Sequence, residues 1–193
     1  MLEHLRHHIT RFISITRRDF DKLTPFFKPL YLKKKDFLFR QNEVCRYIAF
    51  VHKGCLRNYH IDNKGEEQII YFALEDWWVA DLQSFFLNIP SQFNLQALEN
   101  CELLAASKPD FEQAFIAVPV FEKFYRIKTQ IAYTSSQQSL VEKSETAEDR
   151  YIKLLKTAPG LVQRVPQRYL ASYLGIKPQS LSRIRKKISG TGH

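Results

Sequence analysis

The spacing of apolar and polar positions divides the chain into three stretches. In residues 4–24, Leu5, Ile9, Phe12 and Ile13 recur at helical intervals, and Thr16 followed by Asp19 has the form of a capping box that starts a second short helix. From Phe26 to about Ser107 the pattern shortens to that of strands, with runs at 29–33, 37–39, 47–52, 55–61, 68–73, 77–79, 93–98 and 102–106. Eight short runs of this kind predict a barrel or a sandwich. Lys53-Gly54 and Asp62-Asn63-Lys64-Gly65 are turn chemistry where runs break, and a hairpin is expected at each.

Helical spacing returns at Lys108-Pro109-Asp110, where a proline and an acid open a helix with Phe111, Ala114, Phe115 and Val118 on its apolar face. Pro119 interrupts it. From Val120 to about Lys143 a long helix is expected, with no Gly or Pro inside, and Ile127, Ile131, Thr134, Gln138 and Val141 follow the step of a coiled-coil seam. The same spacing also serves a helix lying on its own barrel. A further helix over 146–157 ends at Pro159-Gly160, and residues 161–164 read as a short strand or a loop. The shift in composition near residue 144 marks a boundary, which divides the chain into 1–118, 119–143 and 144–193.

Charge sharpens that boundary. The 193 residues carry a formal net charge of +9, yet no Asp or Glu follows Asp149, while nine of the 29 bases lie in residues 151–193. Residues 1–150 are therefore balanced, and the excess lies entirely in a segment that also holds enough Leu, Ile, Val and Tyr to fold. Clustered cations in a folding segment point to a polyanion, because they gain affinity by displacing condensed counterions from phosphates. The opposite holds between Lys64 and Lys108, where there is no Lys or Arg at all.

The remaining chemistry excludes more than it suggests. No stretch reaches the roughly 20 apolar residues of a membrane span, and the N-terminus lacks the plan of a secretory leader, so a cytoplasmic protein is expected. Cys45, Cys55 and Cys101 share no metal or disulfide spacing and read as small core residues. His4, His7 and His8 have a spacing that suits a metal in principle, though a solvated helix face is the expected outcome. Phe72, Trp77, Trp78, Phe85 and Phe86 read as an aromatic core rather than as an apolar pocket. No phosphate loop, nucleophile elbow or zinc-protease motif is present, so neither an enzyme nor a cofactor is expected. A cupin-like enzyme would need clustered metal ligands, and the strand region offers only His52 and His60.

The most specific signal is Gln167-Arg168-Tyr169-Leu170-Ala171-Ser172-Tyr173-Leu174-Gly175-Ile176-Lys177-Pro178-Gln179-Ser180-Leu181-Ser182-Arg183-Ile184. Two helices crossing at a tight turn need a small contact residue, a glycine in the turn and inward apolar positions. Ala171, Gly175 and the set Leu170, Leu174, Ile176, Leu181 and Ile184 supply them. Lys177, Gln179, Ser180, Ser182, Arg183 and Lys187 then face outward, with Arg168 on the first helix, as candidates for base edges and phosphates.

This motif resembles the helix-turn-helix of the bacterial Crp–Fnr transcription regulators. Residues 26–107 are similar to that family's cyclic-nucleotide-binding β-roll in the order Tyr47-Ile48-Ala49-Phe50-Val51, Gly54, Gly65 and Glu67, then Ile69-Ile70-Tyr71-Phe72. The resemblance implies an α+β fold: an N-terminal double-stranded β-helix (jelly-roll) sensor domain, a long dimerisation helix and a C-terminal helix-turn-helix domain. It implies a homodimer on a palindromic double-stranded DNA operator, with RNA polymerase as a partner and a small-molecule effector. It also favours a second copy, rather than the protein's own barrel, as the partner of the seam in 120–143. One departure matters. Members that bind cyclic AMP carry a Gly-Glu-Leu turn and an arginine for the cyclic phosphate, whereas here Ala80-Asp81-Leu82 and Ser91-Gln92-Phe93 stand at those places, in the stretch with no cation. An unpaired buried phosphate is costly, so cyclic AMP is not the expected ligand. The rival reading is a β-roll scaffold whose basic module binds nucleic acid non-specifically.

Overall fold

The computed structural model describes residues 1–142 and 144–190. Helices α1 (Leu2–Thr10) and α2 (Arg17–Leu23) come first, and Thr16 caps α2 by accepting the Asp19 N–H, as its spacing predicts. Eight strands follow: β1 (Lys28–Leu32), β2 (Phe37–Phe39), β3 (Tyr47–Lys53), β4 (Leu56–Ile61), β5 (Glu67–Ala73), β6 (Trp78–Val79), β7 (Asn94–Ala97) and β8 (Cys101–Ser107). They form two antiparallel four-stranded sheets, ordered β1-β8-β3-β6 and β2-β7-β4-β5. This is the expected α+β roll.

Two local expectations change. The turn at 62–66 closes a hairpin between β4 and β5, held by the Asp62 carboxylate on the N–H groups of Lys64 and Glu66. Lys53-Gly54, by contrast, carries the chain from one sheet to the other. Gly54 is required there, because its φ is +116° and a Cβ would sit 2.5 Å from the Cys101 sulfur. A six-residue helix α3 (Leu82–Leu87), capped by Asp81, lies between β6 and β7, where the residue pattern predicts no element.

Helix α4 (Lys108–Ala117) is capped by Ser107 and stops just before Pro119, as expected, and Pro119 itself starts the long helix α5 (Pro119–Glu142). The predicted end of this helix at Lys143 lies outside the described residues. Then come α6 (Ala147–Thr157), α7 (Pro159–Arg164), α8 (Gln167–Tyr173) and α9 (Pro178–Gly190). Residues 161–164 are thus helical, because Pro159 occupies a first-turn position where its missing N–H is no loss.

Two cores hold these elements. The first lies between the sheets and under α1, α2, α4 and α5, with Phe20, Phe50, Phe85, Phe111, Phe121 and Phe124 fully buried. Each such side chain contributes about 1.5–3 kcal/mol. The second lies on the other face of β4 and β5, where Cys55, Tyr59, Ile69 and Phe72 meet Tyr151, Leu161, Val165, Leu170, Leu174 and Leu181 of the C-terminal helices.

Candidate nucleic-acid interface

Helices α8 and α9 form the two-helix motif that the sequence predicts. Leu170, Ala171, Leu174 and Leu181 are buried, and Ile176 and Ile184 are half-buried against them. Helix α8 ends in a paired hydrogen-bond cap: the Gly175 N–H bonds to the Ser172 carbonyl and the Ile176 N–H to that of Ala171, each at 3.0 Å. That cap needs a left-handed residue, and Gly175 has φ +68°. Arg150 on α6 donates to the Leu174 carbonyl in the same turn.

Helix α9 presents Lys177, Gln179, Ser182, Arg183 and Lys187 as exposed residues, while Ser180 is half-buried. Gln179, Ser182, Arg183 and Lys186 share one face by helical spacing, and Arg185 is exposed as well. Lys186 and Arg185 thus join the outward set predicted from the sequence, and the same spacing rule points to Lys186. Lys187 leans the other way, with its ammonium 2.8 Å from the Glu148 carboxylate on α6. Arg168 is exposed at the start of α8, where its guanidinium lies 4.6 Å over the Tyr169 ring and donates to its hydroxyl.

The C-terminal excess of charge is only partly available to a ligand. Lys153 is tied to Glu142 at the end of α5, Arg164 to Glu75 and Glu99, and Lys187 to Glu148. These three of the nine C-terminal bases brace the domain.

The candidate effector segment is closed on itself. The Asp81 carboxylate accepts the Ser84 N–H at 3.2 Å and the Ser91 hydroxyl at 2.7 Å, and the Ser91 oxygen accepts the Phe93 N–H at 3.0 Å. Ser91 is buried, Ala80 and Phe93 are half-buried, and Leu82 and Gln92 are exposed. Arg126 is exposed and bonds to Gln130 along its own helix, and Lys128 lies over the Phe12 ring, so neither cation reaches this segment. The aromatic residues considered as a pocket are dispersed. Trp78 and Phe85 are in the first core, Phe72 packs on Tyr173, and Trp77 stacks outside on Tyr71.

The histidines on α1 correct the expectation of a solvated face. His4 donates to or accepts from His52 at 2.8 Å and stands 2.8 Å from the Asp76 carboxylate, and His8 is 2 % exposed. Only His7 faces solvent among the three. Among the described residues no group of His, Cys, Asp and Glu has the geometry to hold a metal ion. Burial pushes the thiols of Cys45 and Cys101 up to about 11 and that of Cys55 to about 12, which leaves them protonated and unreactive. No helix among the described residues is long and apolar enough to cross a membrane.

The chain has relatives with this arrangement. A cyclic nucleotide-binding domain model matches residues 29–117. The transcriptional activator protein Anr of Pseudomonas aeruginosa is 23 % identical over 197 aligned positions, which cover 93 % of this chain and 78 % of Anr. FixK2 from Bradyrhizobium japonicum superposes with a TM-score of 0.70 at 19 % identity, covering 86 % of each chain. The c-di-GMP responsive global regulator CLP of Xanthomonas campestris superposes with a TM-score of 0.72 at 14 % identity, covering 92 % of this chain and 93 % of CLP. Residues 29–117 thus match the cyclic nucleotide-binding domain family, and the chain as a whole is similar to Crp–Fnr transcription regulators in its order of roll, long helix and C-terminal helices.

Proposed function

We propose that the protein reads a palindromic operator in double-stranded DNA as a homodimer, with an effector other than cyclic AMP or with none. The observation that carries this reading is helix α9, which sets Gln179, Ser182, Arg183 and Lys186 on one exposed, acid-free face and buries Leu181 behind it. Arg183 has the forked donor geometry that suits guanine, Gln179 that for adenine, and Lys177, Ser180, Ser182 and Arg168 are placed by residue type for phosphates. One such helix reads too few bases. Two, about 34 Å apart, read a palindrome, and the protruding half of α5 offers the means to pair them. RNA polymerase is the further partner we propose for this role.

The test is competition between the palindrome that the protein enriches from genomic fragments and random duplex. A specific reader prefers the former by about 10³-fold or more. Arg183→Ala is expected to cost about 1–3 kcal/mol on the palindrome and to relax preference at one base pair per half-site. Equal weakening on both duplexes would assign Arg183 to phosphate and support non-specific binding instead.

A further inference from the structure

The turn between β5 and β6 is gripped from two sides. Glu75 receives both arms of the Arg164 guanidinium, Nη1 on Oε2 and Nη2 on Oε1 at 2.9 Å each, and also the Gly54 N–H at 2.8 Å. Arg164 is the last residue of α7, and the same guanidinium reaches Glu99 in the turn before β8. The next residue, Asp76, has φ +71° and is held by Arg11 at 2.6 Å and His4 at 2.8 Å, on or beside α1. Two consecutive carboxylates thus answer to different parts of the molecule.

The reading unit is fastened at two more points. Ser172 on α8 donates to the Glu67 carbonyl at 2.7 Å and accepts the Ile69 N–H at 3.2 Å, so α8 completes the open edge of β5. Arg57, 3 % exposed on β4, pairs with Glu67 and Gln96 and lies 4.0 Å over the Tyr169 ring of α8. A single guanidinium shared between two carboxylates is directional in a way that lysine pairs are not.

We propose that Arg164 is a positioning residue for operator reading: it fixes α8 and α9 in one orientation on the roll, and through Glu75 and Asp76 that orientation is tied to α1. The proposal rests on the DNA-reading function above. The covalent tether from α5 to α6 is only the short stretch between Glu142 and Ala147. A unit held by that tether alone would swing, and its dimer would tolerate half-sites at several separations. A locked unit would not, because each added base pair both displaces and rotates one half-site relative to the other.

Affinity is measured on the enriched palindrome and on duplexes with one or two base pairs added or removed at its centre, together with amide exchange. The wild type is expected to disfavour altered spacing by about tenfold or more. Arg164→Gln is expected to reduce this to about threefold or less and to speed exchange of the Ile69 amide about tenfold, with β3 and β8 protection unchanged. Arg164→Lys, which keeps the charge but not the fork, should fall between the two. If Arg164→Gln fails to fold, Ser172→Ala removes another fastening and should shift both readouts the same way. Faster exchange with unchanged spacing preference would make Arg164 merely structural, and unchanged exchange would show that there is no lock; either result overturns the proposal. A wild type that does not prefer the palindrome at all refutes the reading function itself, whereas a wild type that prefers it alongside an Arg164→Gln variant with the same spacing preference refutes only the positioning role.

Discussion

His8 shows how far a single residue's setting departs from its type. It is buried among Phe12, Phe50 and Phe124, and its Nδ1 accepts from the Arg11 guanidinium at 2.9 Å, which requires a neutral ring with its proton on Nε2. Burial, then the nearby charge of Lys128, push its pKa down to about 4 against the attraction of Asp76. Between about 4 and the ordinary value near 6.5 the unfolded chain binds a proton that the native state refuses, so stability is complete above this window and falls as pH drops through it. The loss is on the order of 2–3 kcal/mol. Urea unfolding at pH 7 and pH 4.5 should show that much more acid sensitivity in the wild type than in His8→Leu; parallel losses would mean that native His8 is protonated. The sequence marks His8 only as a polar residue on a helix, since its partner Asp76 lies in a turn between distant strands. Arg57 and Arg164 were hidden for the same reason: an arginine that braces and one that meets phosphate look alike until the carboxylates are placed.

Among elements, strands were the most legible, because short apolar runs broken by turn residues bound each of the eight to within about two residues. Helix α3 escaped because six residues are too few to show a helical period, and α7 because Pro159-Gly160 reads equally as an end and a beginning. The first half of α5 is fixed by Phe121 and Phe124 in the core, but beyond Lys128 it leaves the roll, with Ile131 43 %, Tyr133 65 %, Leu140 58 % and Val141 71 % exposed. A solitary helix of that length is marginal in water, which argues for a partner on this face. Ile131→Lys with Val141→Lys should weaken the proposed dimer about 100-fold in sedimentation equilibrium without unfolding the roll. An unchanged assembly would move the interface elsewhere. The segment from β6 to β7 gives the companion prediction: with Asp81 and Ser91 bonded to each other and no cation paired with either, calorimetry with cyclic AMP should show no saturable heat up to about 1 mM. Micromolar binding lost on changing Ser91 would reverse that conclusion.

At the scale of the whole molecule, the sequence suggests a sensor followed by a basic module, and the structure joins them through a second core. The sign was present in the apolar run Ile69-Ile70-Tyr71-Phe72-Ala73 of β5, longer than one buried face needs, and Ile69 and Phe72 pack in the second core. Charge asymmetry drew attention to the boundary and away from this contact. If the second core is shared, the two parts unfold together, and damage to one lowers the stability of the other. The protein's two tryptophans, Trp77 and Trp78, both belong to the roll, so their fluorescence reports on the sensor alone. Leu174→Ala empties a fully buried position between α8 and α9 and should cost about 2–5 kcal/mol. In a coupled molecule the tryptophan transition falls by roughly 4–20 °C, in step with the far-ultraviolet circular dichroism. In a molecule of two independent units the fluorescence midpoint stays where it was while the helical signal divides into two steps, an outcome that would leave Arg164, Ser172 and Arg57 as contacts with no share in stability.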